Sequence, residues 1–318
     1  MSTVANGGAP PAAPSAFLRP AAVAAAGRQW LGETFPWWSL LPALVILAVL
    51  TLYPMLNLAR MSVSTIEFAQ GRDIWTFTPA RNLELLLADR VLRDAILNTL
   101  IFVVVSVAAE TVLGLGLALL VGKLARGKGF VRTLMILPIL VPPVAIGSMW
   151  KLMYNYDFGI LNQIAMVLGL QPVNWLGSTS IALLSVIIVD IWHWVPFVFL
   201  ILFAAVEGLP VDVYEAARID GASGWQTFRY ITLPLLTPAL IVAVTFRGIL
   251  AFKAFDEVFL LTSGGPGTST ELISLHIYKV FFEQNQLGYG ALLSLTVIAA
   301  ILAFLLVSRR AAGLRPAR

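Results

Sequence analysis

Six stretches of the chain are predominantly apolar for 20 residues or more, and they decide which solvent it can fold in. They run over about 38–60, 95–121, 131–153, 181–206, 237–261 and 289–308. At 1.5 Å per residue, about 20 apolar residues in a helix cross the hydrocarbon core of a bilayer. Hydrocarbon offers the backbone no hydrogen-bond partner, so each stretch must close its own bonds as a helix. Composition points the same way: 59% of residues are hydrophobic and 12% charged, against roughly 25% charged in soluble domains. The predicted fold class is an all-α integral membrane protein with six transmembrane helices. The first apolar run is too long for the hydrophobic region of a signal peptide, and no small-residue cleavage site follows it. Residues 1–36, rich in Ala, Pro and Gly, read as a disordered tail. The transmembrane domain is expected over 37–310, with a short tail over 311–318.

Lys and Arg in the loops set the orientation. With the N-terminus inside, twelve of the 21 basic residues fall on the cytoplasmic side and seven outside. The bias is strongest in the short loop 122–132, which holds Lys123, Arg126, Lys128 and Arg132, and after Ser308. Both termini are therefore expected in the cytoplasm, with 61–94, 154–180 and 262–288 facing outward. The net charge of +4 reads as this orientation signal. It does not suggest nucleic acid, which needs basic residues exposed together. The absence of cysteine excludes disulfides, thiol catalysis and thiolate metal sites.

The cytoplasmic segment 207–236 is too long for a linker and reads as two short helices. Pro210 and Asp212 suit a helix start. Val213, Ala216, Ala217 and Asp220 lay a small, mixed surface along it, and Gly221 ends it. Trp225 to Tyr230 forms an amphipathic return, and Pro234 marks entry into the fifth span. Such a helix suits insertion into a partner's groove or rest on the lipid surface, and physics alone leaves both open.

Glu215-Ala216-Ala217, then Asp220-Gly221-Ala222, then Ile231-Thr232-Leu233-Pro234 resembles the "EAA" loop of binding-protein-dependent ABC importer permeases. Leu261-Thr262-Ser263-Gly264-Gly265-Pro266 is similar to the sugar-permease, maltose-type branch of that family. The resemblance spans about 40–308. It implies a MetI-like importer-permease fold in the bacterial inner membrane, with a cytoplasmic coupling helix that docks on a separate ATPase. It places Glu215, Ala216, Ala217, Asp220 and Gly221 at that contact. The partners it implies are ATP-binding ABC subunits, a second and different permease, and a periplasmic or lipid-anchored solute-binding protein. No cofactor is expected in this chain, since ATP and Mg would be bound by the ATPase. Gly116 to Lys123 has the wrong spacing for a phosphate-binding loop and no Ser or Thr after the lysine.

Ionisable groups within spans are costly and default to functional candidates. On the fourth span Asp190, His193, Trp194 and Phe197 follow i, i+3, i+4, i+7 and share a face. Together they read as a sugar-contact surface or as interfacial aromatics. On the fifth span Arg247 and Ala251 share one face, and Lys253 and Glu257 another. Arg247 is expected either to meet an anionic group on the solute or to pair internally with Glu110 or Asp190. Asp256 and Glu257 are read as solvated near the outer end. Pro138, Pro142 and Pro143 would kink the third span or serve static packing.

The function expected is translocation of a carbohydrate, related polyol or anionic sugar derivative by alternating access, without catalysis by this chain. An ion-gradient-driven transporter is the alternative, disfavoured by six spans, no evident inverted repeat and the long cytoplasmic loop. A membrane enzyme lacks any convergent nucleophile, base or metal cluster.

Overall fold

The computed structural model describes residues 20–69 and 71–311. The described residues fall into two compact units divided after Asn57. Helix α1 runs Pro20–Ser62, so the described part of the expected tail, 20–36, is helical. The reason is local: Ala21 to Ala26 are strong helix formers behind a proline suited to a first turn. Residues 1–19 of that tail, and 312–318 at the other end, lie outside the described residues. Within α1, Leu44, Leu47 and Leu50 are more than half exposed, an apolar surface suited to hydrocarbon.

The second unit opens with a feature the apolar pattern does not announce. Strands β1 (Ser64–Ala69) and β2 (Arg72–Phe77) form an antiparallel hairpin, with Ser64 opposite Phe77 and Ala69 opposite Arg72. The Arg60 guanidinium sits 4.4 Å over the Trp75 ring and ties the hairpin to the chain before it. Helix α2 (Pro79–Ala88) leads into α3 (Arg90–Gly122). Asp89 caps α3 by accepting from the Leu92 N–H at 3.0 Å, which satisfies an otherwise free donor.

The expected third span is not one helix. Helix α4 (Lys128–Leu140) and α5 (Pro143–Met153) meet at a bend of 92°. The adjacent prolines are the cause. Each lacks an N–H and pushes the residue before it out of the helical region, and Val141 and Pro142 are extended. Among the described residues, five helices are long and apolar enough to cross a membrane, or six when this bent pair counts as one.

After α6 (Ile160–Val167) comes α7 (Ala182–Glu207), which packs along α3. Gly114 permits that contact: a Cβ there would lie 2.9 Å from the Val198 side chain and 3.0 Å from the Phe199 backbone nitrogen. Ala118, Val121, Val198, Phe199, Leu202 and Ala243 fill one core cluster, and Phe102, Val103, Val186, Val189 and Ala251 belong to another.

The 207–236 segment gives α8 (Val211–Ile219) and α9 (Gly224–Thr227). A π-helical stretch, Phe228–Thr232, joins α9 to α10 (Leu233–Phe252) without a break. The fifth span therefore covers 224–252 instead of the expected 237–261. It ends early because Lys253 to Phe255 leave the helix before α11 (Asp256–Leu261) begins. Helix α12 (Ile273–Tyr278) and a second π-helical stretch, Lys279–Glu283, precede the last span, α13 (Leu287–Ala311).

Candidate functional site

Two sites read from the sequence can be located, and a third lies where no motif pointed. The first is α8. Its end is a full Schellman motif: the Gly221 N–H donates to the Arg218 carbonyl at 3.1 Å and the Ala222 N–H to the Ala217 carbonyl at 2.9 Å. Gly221 has φ +73°, the left-handed conformation such a turn requires. Ser223 and Gln226 then form a reciprocal capping box that starts α9. The Tyr214 hydroxyl donates to Thr232 Oγ1 at 3.0 Å, fastening α8 to the base of the fifth span. Glu215, Ala216, Asp220 and Gly221 are exposed. Ala217 is not: at 7% exposure it faces its own chain. Of the five residues assigned to a partner contact, four are presented and Ala217 is an inner support.

The second site lies inside the bundle. Arg247 on α10, 1% exposed, meets two carboxylates at once. Its Nη2 donates to Glu110 Oε1 of α3 at 2.9 Å, and Nε approaches Glu110 Oε2 at 2.6 Å. The same Nη2 also donates to Asp190 Oδ2 of α7. Beside this, His193 Nδ1 lies 3.1 Å from Glu257 Oε1, both buried. One polar cluster thus joins α3, α7, α10 and α11. Buried charge is tolerable only when paired in this way.

On the fourth span the two polar members of the predicted face are engaged within the chain. Asp190 and His193 turn their polar atoms toward their own chain. Trp194 and Phe197 are partly buried, edge to face with ring centroids 5.9 Å apart. The Arg247 guanidinium carbon lies 5.1 Å from the Trp194 ring centroid, a cation–π contact that holds the ring. For Arg247, the internal alternative is the one realised, with both carboxylates rather than one. Ala251 is fully buried in the core and Lys253 is exposed at the C-terminal cap of α10. Lys253 and Glu257 do not share a helical face, because the chain breaks between them. Glu257, expected in solvent, is 6% exposed while Asp256 is exposed.

The third constellation joins the Arg90 end of α3 to the segment after α11. His276 is 4% exposed. Its Nε2 lies 2.8 Å from Asp89 Oδ2 and its Nδ1 3.6 Å from Glu271 Oε1. The Tyr289 hydroxyl donates to Asp89 Oδ2 at 2.6 Å, and Lys279 Nζ donates to Glu271 Oε2 at 2.6 Å. Asn98 Nδ2 donates to the carbonyls of Thr268 and Glu271 at 2.8 and 3.1 Å. These bonds pin the 262–272 loop to α3 and α13. Burial alone would lower the His276 pKa, but hydrogen bonds and charge from Glu271 and Asp89 outweigh it and hold the value above 6.5. For Asp89 and Glu271 burial raises the pKa. Tyr289, the Leu92 N–H and His276 reverse this for Asp89, and His276 and Lys279 reverse it for Glu271, so both end below their ordinary values.

A pH dependence follows, with opposite signs for the two kinds of group. The raised His276 contributes stability that is complete below pH 6.5 and is lost as pH climbs through the folded value. The carboxylates contribute above their ordinary pKa values and lose that contribution in acid. Thermal unfolding of the wild type and of His276→Gln between pH 6 and 9 should show the wild-type advantage shrinking as pH rises. A constant difference across that range would remove the imidazolium from the brace.

The family model for the binding-protein-dependent transport system inner membrane component matches residues 110–314, a stretch holding both the internal charge cluster and α8. The chain belongs to that family. Among relatives of this importer permease is the trehalose/maltose transport system permease protein MalF of Thermococcus litoralis. It is 38% identical over 274 residues, covering 84% of this chain and 90% of that one. The osmoprotective compounds uptake permease protein GgtC of Synechocystis sp. is 34% identical over 275 residues, 85% and 95% of the two chains. The sulfoquinovosyl glycerol transport system permease protein SmoG of Agrobacterium fabrum is 30% identical over 260 residues, 82% and 84%. The fold is that of a solved bacterial ABC transporter involved in importing the acidic polysaccharide alginate. That match has a TM-score of 0.77 at 22% identity and covers 90% of this permease and 98% of that chain. A second alginate transporter structure, in complex with an alginate pentasaccharide-bound periplasmic protein, gives 0.75 at 22% identity, covering 89% and 95%.

His276, Glu271 and Asp89 carry no motif in the sequence, and Glu257 is visible only as one of two adjacent acids. Their partners lie 187, 8, 200 and 64 positions away, so no local pattern marks them. The available signal was an isolated histidine, His276, between two of the apolar spans.

Proposed function

We propose that this permease carries a carbohydrate, related polyol or anionic sugar derivative across the bacterial inner membrane, with both termini in the cytoplasm. Two ATPase subunits bind ATP and Mg and dock on α8 through Glu215, Ala216, Asp220 and Gly221. The chain itself performs no catalysis. A second, different permease completes the pathway, and a periplasmic or lipid-anchored solute-binding protein delivers the solute. The observation that carries this reading is α8 itself. It is a short helix pinned at Tyr214 and Gly221 that leaves a glutamate and a small residue outward, a shape suited to a groove.

The names of the relatives support the carbohydrate class. Trp194 and Phe197 are the aromatic surface from this chain on which a sugar ring could pack. Arg247 belongs to the wall behind them. Its Nε and Nη2 are turned to Glu110 and Asp190, so the guanidinium is committed in large part to its own chain.

The assembled importer in vesicles tests this reading. With ATP trapped on the α8 side, radiolabelled trehalose or maltose delivered by the binding protein should accumulate and continue to do so with a protonophore present. Uptake that ignores ATP and collapses with the protonophore would put a gradient-driven transporter in its place.

A further inference from the structure

Between α8 and the ends of α3 and α7 lies a cavity of about 660 Å3 that the coupling reading does not use. Leu119, Val206 and Phe228 give it an apolar wall, and Tyr214, Lys123 and Arg218 give it polar edges. Lys123 and Arg218 are exposed, and neither makes an ion pair among the described residues, whereas nearby Lys128 is bound to Glu207 at 2.8 Å. Lys123 is the C-terminal cap of α3, immediately beyond its apolar run. The cavity therefore sits where hydrocarbon gives way to headgroups. It combines grease with two uncompensated cations.

We propose that this cavity binds one anionic phospholipid. The phosphate lies between Lys123 and Arg218, and the first methylenes lie against Leu119, Val206 and Phe228. A free phosphate would gain nothing from the apolar wall, and a zwitterionic lipid would leave the two cations without net compensation. Because Arg218 belongs to α8, the lipid would brace the coupling helix against the ends of α3 and α7. The placement rests on the orientation proposed above. The test needs neither ATPase nor transport, so it can fail while the importer reading stands, or succeed if that reading falls.

The full chain in neutral detergent, titrated with dioleoyl phosphatidylglycerol or dioleoyl phosphatidylcholine, is read by native mass spectrometry. The wild type should prefer phosphatidylglycerol by about thirtyfold, the effect of two surface cations. Lys123→Gln with Arg218→Gln should lose that preference. Leu119→Trp, which fills the cavity and keeps both charges, should lose the bound lipid. Arg126→Gln with Arg132→Gln, which removes two exposed cations outside the cavity, should retain the preference. Three results would overturn the proposal: unchanged preference in the Lys123/Arg218 variant, equal loss in the Arg126/Arg132 variant, or displacement of the lipid by soluble glycerol phosphate.

Discussion

Arg247→Leu should destabilise the protein by about 3–5 kcal/mol, the cost of leaving buried charges without their partner. Glu110 and Asp190 are 0% and 1% exposed, so neither can turn to water when the guanidinium is gone. The loss should appear as a large fall in the thermal midpoint of the purified chain. Arg247→Lys should fall between, since an ammonium is a point charge that cannot match the fork that meets both oxygens of Glu110. Replacing Glu110, Asp190 and Arg247 together by leucine should cost far less than Arg247→Leu alone, because it removes charge and countercharge at once. If the single and triple replacements proved equally harmful, the cluster would not be an electrostatic unit. If Arg247→Leu kept its stability and lost only uptake of anionic sugars, the solute-contact role would return.

The apolar runs were legible because a bilayer demands them. The helices from Arg90, Ala182 and Leu287 begin and end within about five residues of the boundaries predicted from hydrophobicity. Turn chemistry was legible too, since Gly221 stands where the α8 terminus needs a positive φ. Hydropathy could not show geometry. Two adjacent prolines announced a disturbance over 138–143, but not its size, a bend of 92°. The early end of the fifth span was hidden because Phe252, Ala254 and Phe255 remain apolar after the helix stops. The hairpin Ser64–Phe77 has strands of six residues each, too short for their alternation to stand out between two long apolar runs.

The sequence left Arg247 open between a solute anion and an internal pair with Glu110 or Asp190, and it gave no sign that both carboxylates are engaged at once or that His193 meets Glu257. Helical spacing shows which side chains share a face of one helix. It says nothing about which helix that face meets. Asp190 and His193 do share a face, and what they meet are Arg247 and Glu257, from elements more than 50 positions later in the chain. Ala217 shows the same limit on a smaller scale: the motif named it, and packing turned it inward.

Helix α8, with the docking role proposed for it, carries the second large effect. Glu215 is exposed, with neither a hydrogen bond nor an ion pair to its own chain among the described residues. Changing it should leave folding intact and act wholly on the partner. Removing one side of a charge-assisted contact at an interface costs about 2–5 kcal/mol, so Glu215→Lys should weaken ATPase attachment by about thirtyfold or more. Ala216→Trp should do the same by bulk, since a groove that accepts a methyl has no room for an indole. Gly221→Val should instead act on the helix itself, because a β-branched residue at φ +73° is strained by about 1–3 kcal/mol.

The most direct measurement is ATP-driven solute uptake by the assembled importer in vesicles, comparing wild type, Glu215→Lys and Ala216→Trp at matched thermal midpoints. Uptake should fall by about an order of magnitude or more in both variants, while each permease remains folded and membrane-inserted. Wild-type uptake by both would contradict the claim that work from ATP hydrolysis enters the bundle through α8.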